Sequence, residues 1–312
     1  MRLPFNANTF ANTYQPEAFM SGIVFAKNEK HLPYFLSNYI RPVHYISALT
    51  KLNYYIDNPF LLNHGLIKRD YIAAPVTSLQ VVDWASIARN ALSNYKYVFG
   101  LFNDEDVPQK PCYNKRYFPH DYLLYGYDND GFISAAYLND KHFHEFKITY
   151  NDFNSAVRSL KQDQFIHLLE YDNSLSLGFM PNLVKEALND YITSKNMTQD
   201  GTIYGINAFK YFAEELIHNR TRIDERAICF LREHKLLMKK RLEYMMEEKY
   251  IKYDIDTINK YDLNINQLQK AILLTIKYNI RNNSGILSQI HNIIINSIIQ
   301  DESILPNIIS QL

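Results

Sequence analysis

Two kinds of hydrophobic pattern divide the chain. From about Tyr71 to about Tyr171, short runs of β-branched and aromatic residues alternate with two helical segments, which predicts an α+β domain built on a sheet. After about Gly205 the apolar residues recur every three or four positions, as is typical of amphipathic helices. We therefore predict a sheet-containing domain at residues 1–200 and a helical accessory region at residues 201–312.

The sheet region contains recognisable local elements. Asp83 precedes the periodic segment WASIARNALSN, which predicts a capped helix, and the following KYVFGLF predicts a buried strand. The runs DYLLYGYD and GFISAAYL predict a hairpin around the turn at residues 128–131. KHFHEFKITY predicts a further strand, residues 150–160 predict a helix with Asn151 or Asp152 near its cap, and FIHLLEY predicts one more strand.

Helices are predicted on both sides of this region. PEAFMSGIVFAK predicts an early helix with Pro16 in its first turn, where the missing N–H costs nothing, and a loop rich in Asn and Thr precedes it. The last third of the chain predicts four amphipathic helices that pack together, from INAFKYFAEELI, residues 223–250, INQLQKAILLTIKYNI and GILSQIHNIIINSII.

Composition and charge narrow the class of protein. The 312 residues are 47% hydrophobic, which suits a globular chain with a substantial core. The 33 basic and 33 acidic side chains cancel, so we predict neither nucleic acid nor an anionic membrane as a partner. Two cysteines argue against a disulfide framework and a cysteine-based zinc site, and no apolar segment suits a signal peptide or a membrane span. We therefore predict a cytoplasmic protein without a metal or a cofactor.

A histidine stands at the head of an apolar strand in the segment RYFPHDYLLYGYDNDGFISAAYL. His120 opens this strand, and the residues Gly126, Tyr127 and Asp128 close it with a turn. A histidine in an apolar strand is more often a hydrogen-bonded core residue than a catalyst. The surrounding motif therefore decides between these two interpretations.

Residues 84–160 resemble the histidine half of a papain-like cysteine peptidase. The likeness is strongest to the C39-like and butirosin biosynthesis protein H-like proteins of peptide-antibiotic gene clusters, through WASIARNALSNYKYVFGLFND, HDYLLYGYDNDGFISAAYL and FKITYNDFNSAV. His120, Gly126, Tyr127 and Asp128 match the histidine and the turn of that family. The resemblance implies a papain-like fold, in which an N-terminal helix packs against an antiparallel sheet, with an added C-terminal helical region.

The resemblance also implies a cysteine at the N-terminus of the early helix. The helix dipole and a neighbouring imidazolium would stabilise its thiolate, and the histidine would act as acid and base. The expected position of this nucleophile is Ala11, in TFANTYQPEAF, and Ala7 is a weaker candidate. An alanine there indicates either an engineered inactive chain or a natural pseudoenzyme. Asn12 and Tyr127 are candidate substrate-binding residues.

The residue that would orient the histidine departs from the family pattern. Its expected position on the adjacent strand falls on Ala136 and Tyr137, and neither side chain replaces a carboxylate. Asn139 and Asp140 lie slightly further along and would reach the imidazole if the strand is bulged. The orienting role is therefore unassigned at this point, with Asn139 as the candidate.

Other reactive groups have competing interpretations. Cys112 lies eight residues before His120 and is a rival nucleophile, but PQKPCYNKR predicts an exposed loop without a helix N-terminus to activate a thiol. Cys229 lies in the apolar run AICFL, which predicts core packing. His142 and His144 alternate along a strand and could ligate a metal, but no carboxylate or cysteine run completes a site, which favours a solvated strand face.

A cationic run lies in the helical region at residues 235–241. Its lysines and arginine could dock an acidic partner such as a carrier protein. Several glutamates follow at residues 243–248, so an ordinary mixed-charge surface helix is the favoured interpretation.

Two classes of function remain. The first is an acyltransferase that moves an acyl group from the thioester of an acyl- or peptidyl-carrier protein to an amine acceptor, as the resemblance implies for closthioamide-type assembly. The second is a binding protein that lacks the nucleophile and holds a peptide or an acylated carrier, and a cysteine peptidase ranks third. Ala11→Cys separates the first two, because it should restore covalent acylation only in the transferase.

Overall fold

The computed structural model describes residues 1–26, 30–46, 51–54, 66–75, 82–138, 143–172, 174–196, 202–219 and 222–312. The chain forms two units that alternate along its length. A sheet unit comprises Met1–Glu29 and Asn58–Ser176, and a helical unit comprises Lys30–Asp57 and Leu177–Leu312. The sequence predicted a single division at residue 200. In the structure the last division falls at residue 177, and an early segment belongs to the helical unit.

Helices dominate the described part of the chain. In chain order they are α1 (Gln15–Val24), α2 (Leu32–Leu36), α3 (Trp84–Ser93), α4 (Tyr150–Arg158), α5 (Pro181–Thr193), α6 (Gly205–Asn219), α7 (Glu225–Glu247), α8 (Ile255–Arg281) and α9 (Ser284–Gln311).

The strands fall into two sheets. In chain order they are β1 (Pro42–His44), β2 (Leu52–Tyr54), β3 (Ile67–Ala74), β4 (Tyr97–Asn103), β5 (Pro119–Tyr127), β6 (Gly131–Tyr137), β7 (Phe143–Thr149), β8 (Gln164–Tyr171) and β9 (Ile203–Tyr204). The sheet unit holds six of them in the order β3-β8-β4-β5-β6-β7, with antiparallel neighbours throughout. The prediction of a mixed α and β chain with an antiparallel sheet is confirmed.

Helix α1 packs against the centre of the larger sheet, on strands β5 and β6. The ring of Phe19 on α1 is fully buried, 6.0 Å from the Phe99 ring on β4 and 5.8 Å from the Phe143 ring on β7. Aromatic pairs at such centroid separations contribute stability beyond the area that they bury. The early helix is thus part of the core of the sheet unit.

Side-chain caps fix the starts of the other two helices in this unit. The carboxylate of Asp83 accepts from the backbone N–H of Ser86, which confirms the predicted cap of α3. The cap of α4 is Thr149, whose hydroxyl oxygen accepts from the backbone N–H of Asp152. Asn151 and Asp152 therefore lie near the cap, in the first turn, as predicted, and the capping residue itself is Thr149.

The helical unit contains α2, the helices α5 to α9 and a small antiparallel sheet. This sheet has the order β2-β1-β9, so the early strand β1 lies between two partners that are far apart in sequence. The four helices predicted from the last third of the chain correspond to α6, α7, α8 and α9. Helix α9 contacts α5, α6 and α8, which makes it the common neighbour of three helices.

The favoured interpretation of the cationic run as a surface helix was wrong for its two ends. Lys235 and Arg241 on α7 are fully buried. Lys235 forms an ion pair with the fully buried Asp301 of α9. Arg241 donates from Nε to the Leu36 carbonyl oxygen at 2.6 Å and from Nη2 to the Asn38 carbonyl oxygen at 2.7 Å. These buried cations are stabilised because hydrogen-bond acceptors of the protein replace the water that each has lost.

No helix in the described ranges combines the length and the apolar character that crossing a lipid bilayer requires.

Candidate functional site

His120 is the second residue of β5 and lies opposite Phe102 of β4 in the strand register. Its ring is half-buried, and its centroid lies 5.6 Å from that of Phe118. Two residues further along β5, Tyr122 is fully buried and stacks on Phe102 with ring centroids 4.7 Å apart. The apolar strand therefore anchors the histidine at the edge of the core, at the end of the sheet where β5 begins.

The residue that contacts this histidine is Gln15. It is the first residue of α1, because Tyr14 is extended and Pro16 occupies the start of the helix. Gln15 Nε2 lies 2.8 Å from His120 Nδ1 and donates to the Asp121 carbonyl oxygen at 2.5 Å. Gln15 is only 3% exposed, so its carboxamide fills the space between the helix N-terminus and the imidazole.

The same carboxamide joins two strands at the point where they separate. Leu123 of β5 pairs with Ala135 of β6. When this antiparallel register is extended by two residues, Asp121 lies opposite Tyr137. Gln15 bridges that last step, since its Oε1 accepts from the backbone N–H of Tyr137 at 2.8 Å. The side chain thus takes the place of backbone–backbone hydrogen bonds at this end of the hairpin.

Buried charges surround the imidazole. Lys110 and Asp104 are each 3% exposed; Lys110 donates to the Tyr137 carbonyl oxygen at 2.8 Å, and Asp104 accepts from the Tyr122 hydroxyl. Burial, followed by the positive charge of Lys110, lowers the pKa of His120, and the carboxylates of Asp104 and Asp121 only oppose this shift. Burial likewise raises the pKa of Asp121, against the effect of His120.

A helix N-terminus and an imidazole lie side by side here, and the side chain between them is that of Gln15. The nitrogen of a carboxamide has its lone pair delocalised into the carbonyl, so Gln15 cannot serve as a nucleophile. It can donate and accept hydrogen bonds, and it does both here. Residue 15 therefore takes part in hydrogen bonding and not in covalent chemistry.

Ala11 lies four residues before α1 begins. It is fully buried, and its carbonyl oxygen accepts from the hydroxyls of Ser21 at 3.2 Å and Thr9 at 3.3 Å. Its position ahead of the helix leaves Gln15, and not Ala11, as the residue whose side chain contacts His120. The role of Ala11 as the nucleophile position stays a prediction.

The two candidate substrate-binding residues lie apart from each other. Asn12 is exposed, and its carbonyl oxygen accepts from the Tyr137 hydroxyl, which brings it near the Gln15 network. Tyr127 is seven residues beyond His120 on β5, roughly 23 Å away at about 3.3 Å per residue. Its hydroxyl lies 2.9 Å from Ser93 Oγ. The structure thus brings Asn12, but not Tyr127, to the end of the sheet that holds His120.

The orienting residue stays unassigned. Asn139 and Asp140 lie outside the described residues. Ala136 is fully buried, and Tyr137 is bonded through its backbone to Gln15 and Lys110.

Neither cysteine joins the site. The loop around Cys112 was predicted to be exposed, and residues 113–116 are exposed, but Cys112 itself is buried. Arg116 Nε lies 3.4 Å from its sulfur. Among the described residues no hydrogen bond links Cys112 to His120. Cys229 is half-buried on α7, where burial raises the pKa of its thiol to about 11. That shift favours an unreactive thiol, as expected for a packing residue.

His142 and His144, near the start of β7, were considered as a pair of metal ligands. His144 on β7 is exposed, and His142 lies outside the described residues. Within the part of the chain that the structure describes, no group of three or more His, Cys, Asp or Glu side chains is placed to hold a metal ion.

Gln15, Lys110 and Asp104 are not among the residues predicted for the site. Pro16 was a usable signal for the first of these, because proline favours the first turn of a helix and so places Gln15 at the helix start. No local signal identifies Lys110 or Asp104, whose burial depends on tertiary packing.

The chain was compared with models of known protein families and with curated proteins, and it matches none of them.

Proposed function

We propose that the sheet unit is a papain-like domain that lacks a nucleophile and binds an acyl or peptidyl group without transferring it. The packing of α1 against β5 and β6, with a histidine at the head of β5, supports this proposal, because a papain-like site needs those three elements together. The partner that we propose is an acyl- or peptidyl-carrier protein presenting the group as a thioester, in the cytoplasm.

The observation that carries the proposal is the contact between Gln15 and His120. A papain-like nucleophile has to lie at the helix N-terminus, within reach of the imidazole. The buried carboxamide of Gln15 occupies that space and satisfies Nδ1 at 2.8 Å. An active thiol enzyme would need this volume for its own sulfur atom. The alternative is the acyltransferase hypothesis, with Ala11 as the nucleophile position. The experiment must distinguish it from the binding function.

The first test is intact-protein mass spectrometry after incubation with acyl thioesters of N-acetylcysteamine. We expect no adduct on the natural sequence and an acyl adduct on Gln15→Cys, because the shorter thiol would lie at the helix N-terminus beside His120. The adduct should disappear in the double variant Gln15→Cys/His120→Ala. Gln267→Cys, on the exposed face of α8, controls for unspecific acylation of an added thiol.

Each other outcome has a distinct meaning. An adduct on Ala11→Cys that needs His120, with none on Gln15→Cys, would favour the acyltransferase hypothesis. An adduct on the natural sequence would identify Cys112 or Cys229 as the reactive thiol and refute the loss of the nucleophile. No adduct on either variant would remove the support for a papain-like site.

Binding is measured separately on the natural sequence. A fluorine-labelled acyl thioester should show line broadening in its NMR spectrum that an excess of unlabelled thioester reverses. The broadening should be reduced in His120→Ala and retained in His144→Ala, a matched change on the exposed face of β7. The absence of broadening across a range of acyl chains would reject the binding function.

A further inference from the structure

Two backbone groups fix which way the carboxamide of Gln15 points. The N–H of Tyr137 can only donate, so the atom 2.8 Å from it must be the oxygen Oε1. The carbonyl oxygen of Asp121 can only accept, so the atom 2.5 Å from it must be the nitrogen Nε2. A flipped carboxamide would set two donors against each other and two acceptors against each other. The orientation of Gln15 therefore follows from its two backbone partners.

This orientation determines the protonation of Nδ1 of His120. Gln15 Nε2 carries two hydrogens, and one of them is used by Asp121. The other points at His120 Nδ1 over 2.8 Å, so Nδ1 must accept and cannot carry a proton. The competing acceptor for a protonated Nδ1 is the Asp121 carbonyl oxygen, but at 3.4 Å that contact is long. The neutral imidazole therefore keeps its proton on Nε2.

The charges that face the ring favour this neutral form. Lys110 is held close by its bond to the Tyr137 carbonyl oxygen, and its positive charge disfavours an imidazolium. Burial acts in the same direction and is the larger cause of the lowered pKa of His120. The negative charges of Asp104 and Asp121 raise the pKa of His120, but the net shift is still downward. The imidazole is thus neutral near pH 7 and has one hydrogen to donate.

No side chain or backbone group among the described residues accepts a hydrogen bond from His120 Nε2. We propose that this N–H is the recognition group of the site and selects a hydrogen-bond acceptor, the carbonyl oxygen of an acyl group, over an amine. The inference rests on the proposed function and deepens it. Of the two reactants of an acyl transfer, the site is built for the acyl carbonyl, since a protonated amine has no lone pair to offer Nε2–H.

The tautomer can be measured without any ligand, by nitrogen-15 NMR of the imidazole ring near neutral pH. The signals of His120 are assigned by their loss in His120→Gln. We expect a pyridine-type signal for Nδ1 and a pyrrole-type signal for Nε2. A pyrrole-type Nδ1, or an imidazolium at neutral pH, would overturn the inference whatever the ligand experiments show.

Gln15→Glu is the matched variant, because it keeps the shape of the side chain and removes its donor. A carboxylate can only accept, so Nδ1 should gain a proton and the tautomer should reverse or the ring should become an imidazolium. Gln267→Glu adds the same charge on the exposed face of α8 and should leave the ring signals unchanged. An unchanged ring in a folded Gln15→Glu protein would mean that Gln15 does not set the tautomer.

The ligand class is tested with two probes that differ only in the acyl oxygen. We expect the hexanoyl thioester of N-acetylcysteamine to bind about tenfold more tightly than its S-hexyl thioether, the effect of one hydrogen bond. Hexylamine should not compete. Equal affinity of both probes would refute recognition of the carbonyl while leaving the proposed binding function intact. Failure of both probes to bind would reject the proposed function, and the nitrogen-15 spectra would still decide the tautomer.

Discussion

His234 is enclosed by the helical unit, and its Nε2 lies 2.9 Å from the carbonyl oxygen of Ile40. The aromatic rings of Tyr191 and Phe209 lie 5.1 and 5.2 Å from its own ring centroid. Burial, and after it the neighbouring charge of Lys235, holds the pKa of His234 well below its ordinary value. The folded protein therefore keeps this histidine neutral under conditions in which the unfolded chain protonates it.

This histidine makes stability depend on pH in a defined direction. Between the lowered folded pKa and about 6.5 the unfolded state binds one proton more, so stability rises with pH and falls on acidification, by up to about 1.4 kcal/mol per pH unit. His234→Gln keeps a donor for Ile40 and should reduce that slope by about one proton. The measurement is the urea midpoint at a series of pH values from 7 to 5, with His144→Gln as the exposed control. Equal slopes for the natural sequence and His234→Gln would contradict the prediction.

Some features of the site follow from one residue and its local sequence, and others depend on residues that are distant in sequence. His120 could be chosen as a candidate from the sequence, because the apolar strand and turn that follow it form a local motif. Its partner could not, since the contact with Gln15 depends on which residue opens α1 and on how that helix meets β5. The tautomer needs the backbone of two strands as well, so it is a property of tertiary structure alone.

Elements with a strong repeat were predictable. The capped α3 and the long helices α7 to α9 display a helical hydrophobic period, and two apolar runs around a turn mark the hairpin of β5 and β6. The edge strand β3 does not, because its six central residues are exposed and only its two ends are buried. The strands β1, β2 and β9 have two or three residues each, too few for any period. Helix α5 was missed although Val184, Ala187, Leu188 and Tyr191 have helical spacing after Pro181.

The start of α6 depends on one glycine. Gly205 has φ +62°, and a Cβ there would lie 2.5 Å from the Tyr191 carbonyl oxygen and 2.8 Å from Ser194 Cα. We expect Gly205→Ala to lower the free energy of unfolding by about 1–3 kcal/mol, because it combines a left-handed backbone with a steric clash. Gly178→Ala is the matched control, with nothing within 4 Å of the added carbon. Thermal unfolding measures both, and equal melting temperatures would show that the backbone relaxes at no cost.

On the scale of the whole molecule, each unit is assembled from separate stretches of sequence. In the helical unit, β1 pairs with β9, Arg241 binds the carbonyl oxygens at the end of α2, and Tyr191 donates to Asp301 at 2.5 Å. Hydrophobic pattern alone could not reveal this division, since it reports the local period and not the partner of each segment. The boundary predicted at residue 200 separates α5 from the helices that it contacts.

Fragments test this organisation. A fragment of residues 201–312 lacks α5 and residues 30–57, so Asp301 loses Tyr191 and Arg241 loses its carbonyl acceptors. We expect it to aggregate and to show no cooperative thermal transition, because buried charges would lose their partners. Residues 30–57 joined by a Gly/Ser linker to residues 177–312 should instead unfold cooperatively. Circular dichroism and size-exclusion chromatography compare the two, and a cooperative transition in the shorter fragment would refute this account.

The position of β1 between β2 and β9 has a consequence for the order of events on the ribosome. His44 pairs with Ile203, and Leu36 receives the side chain of Arg241, 205 residues later. At roughly 5–20 residues per second, synthesis needs about 10–40 s to cover that separation. Through this interval the apolar side chains of Phe35, Leu36 and Val43 have been made while the segments that bury them have not. The nascent chain therefore exposes these apolar side chains to chaperones, and to misassembly, until α7 has emerged.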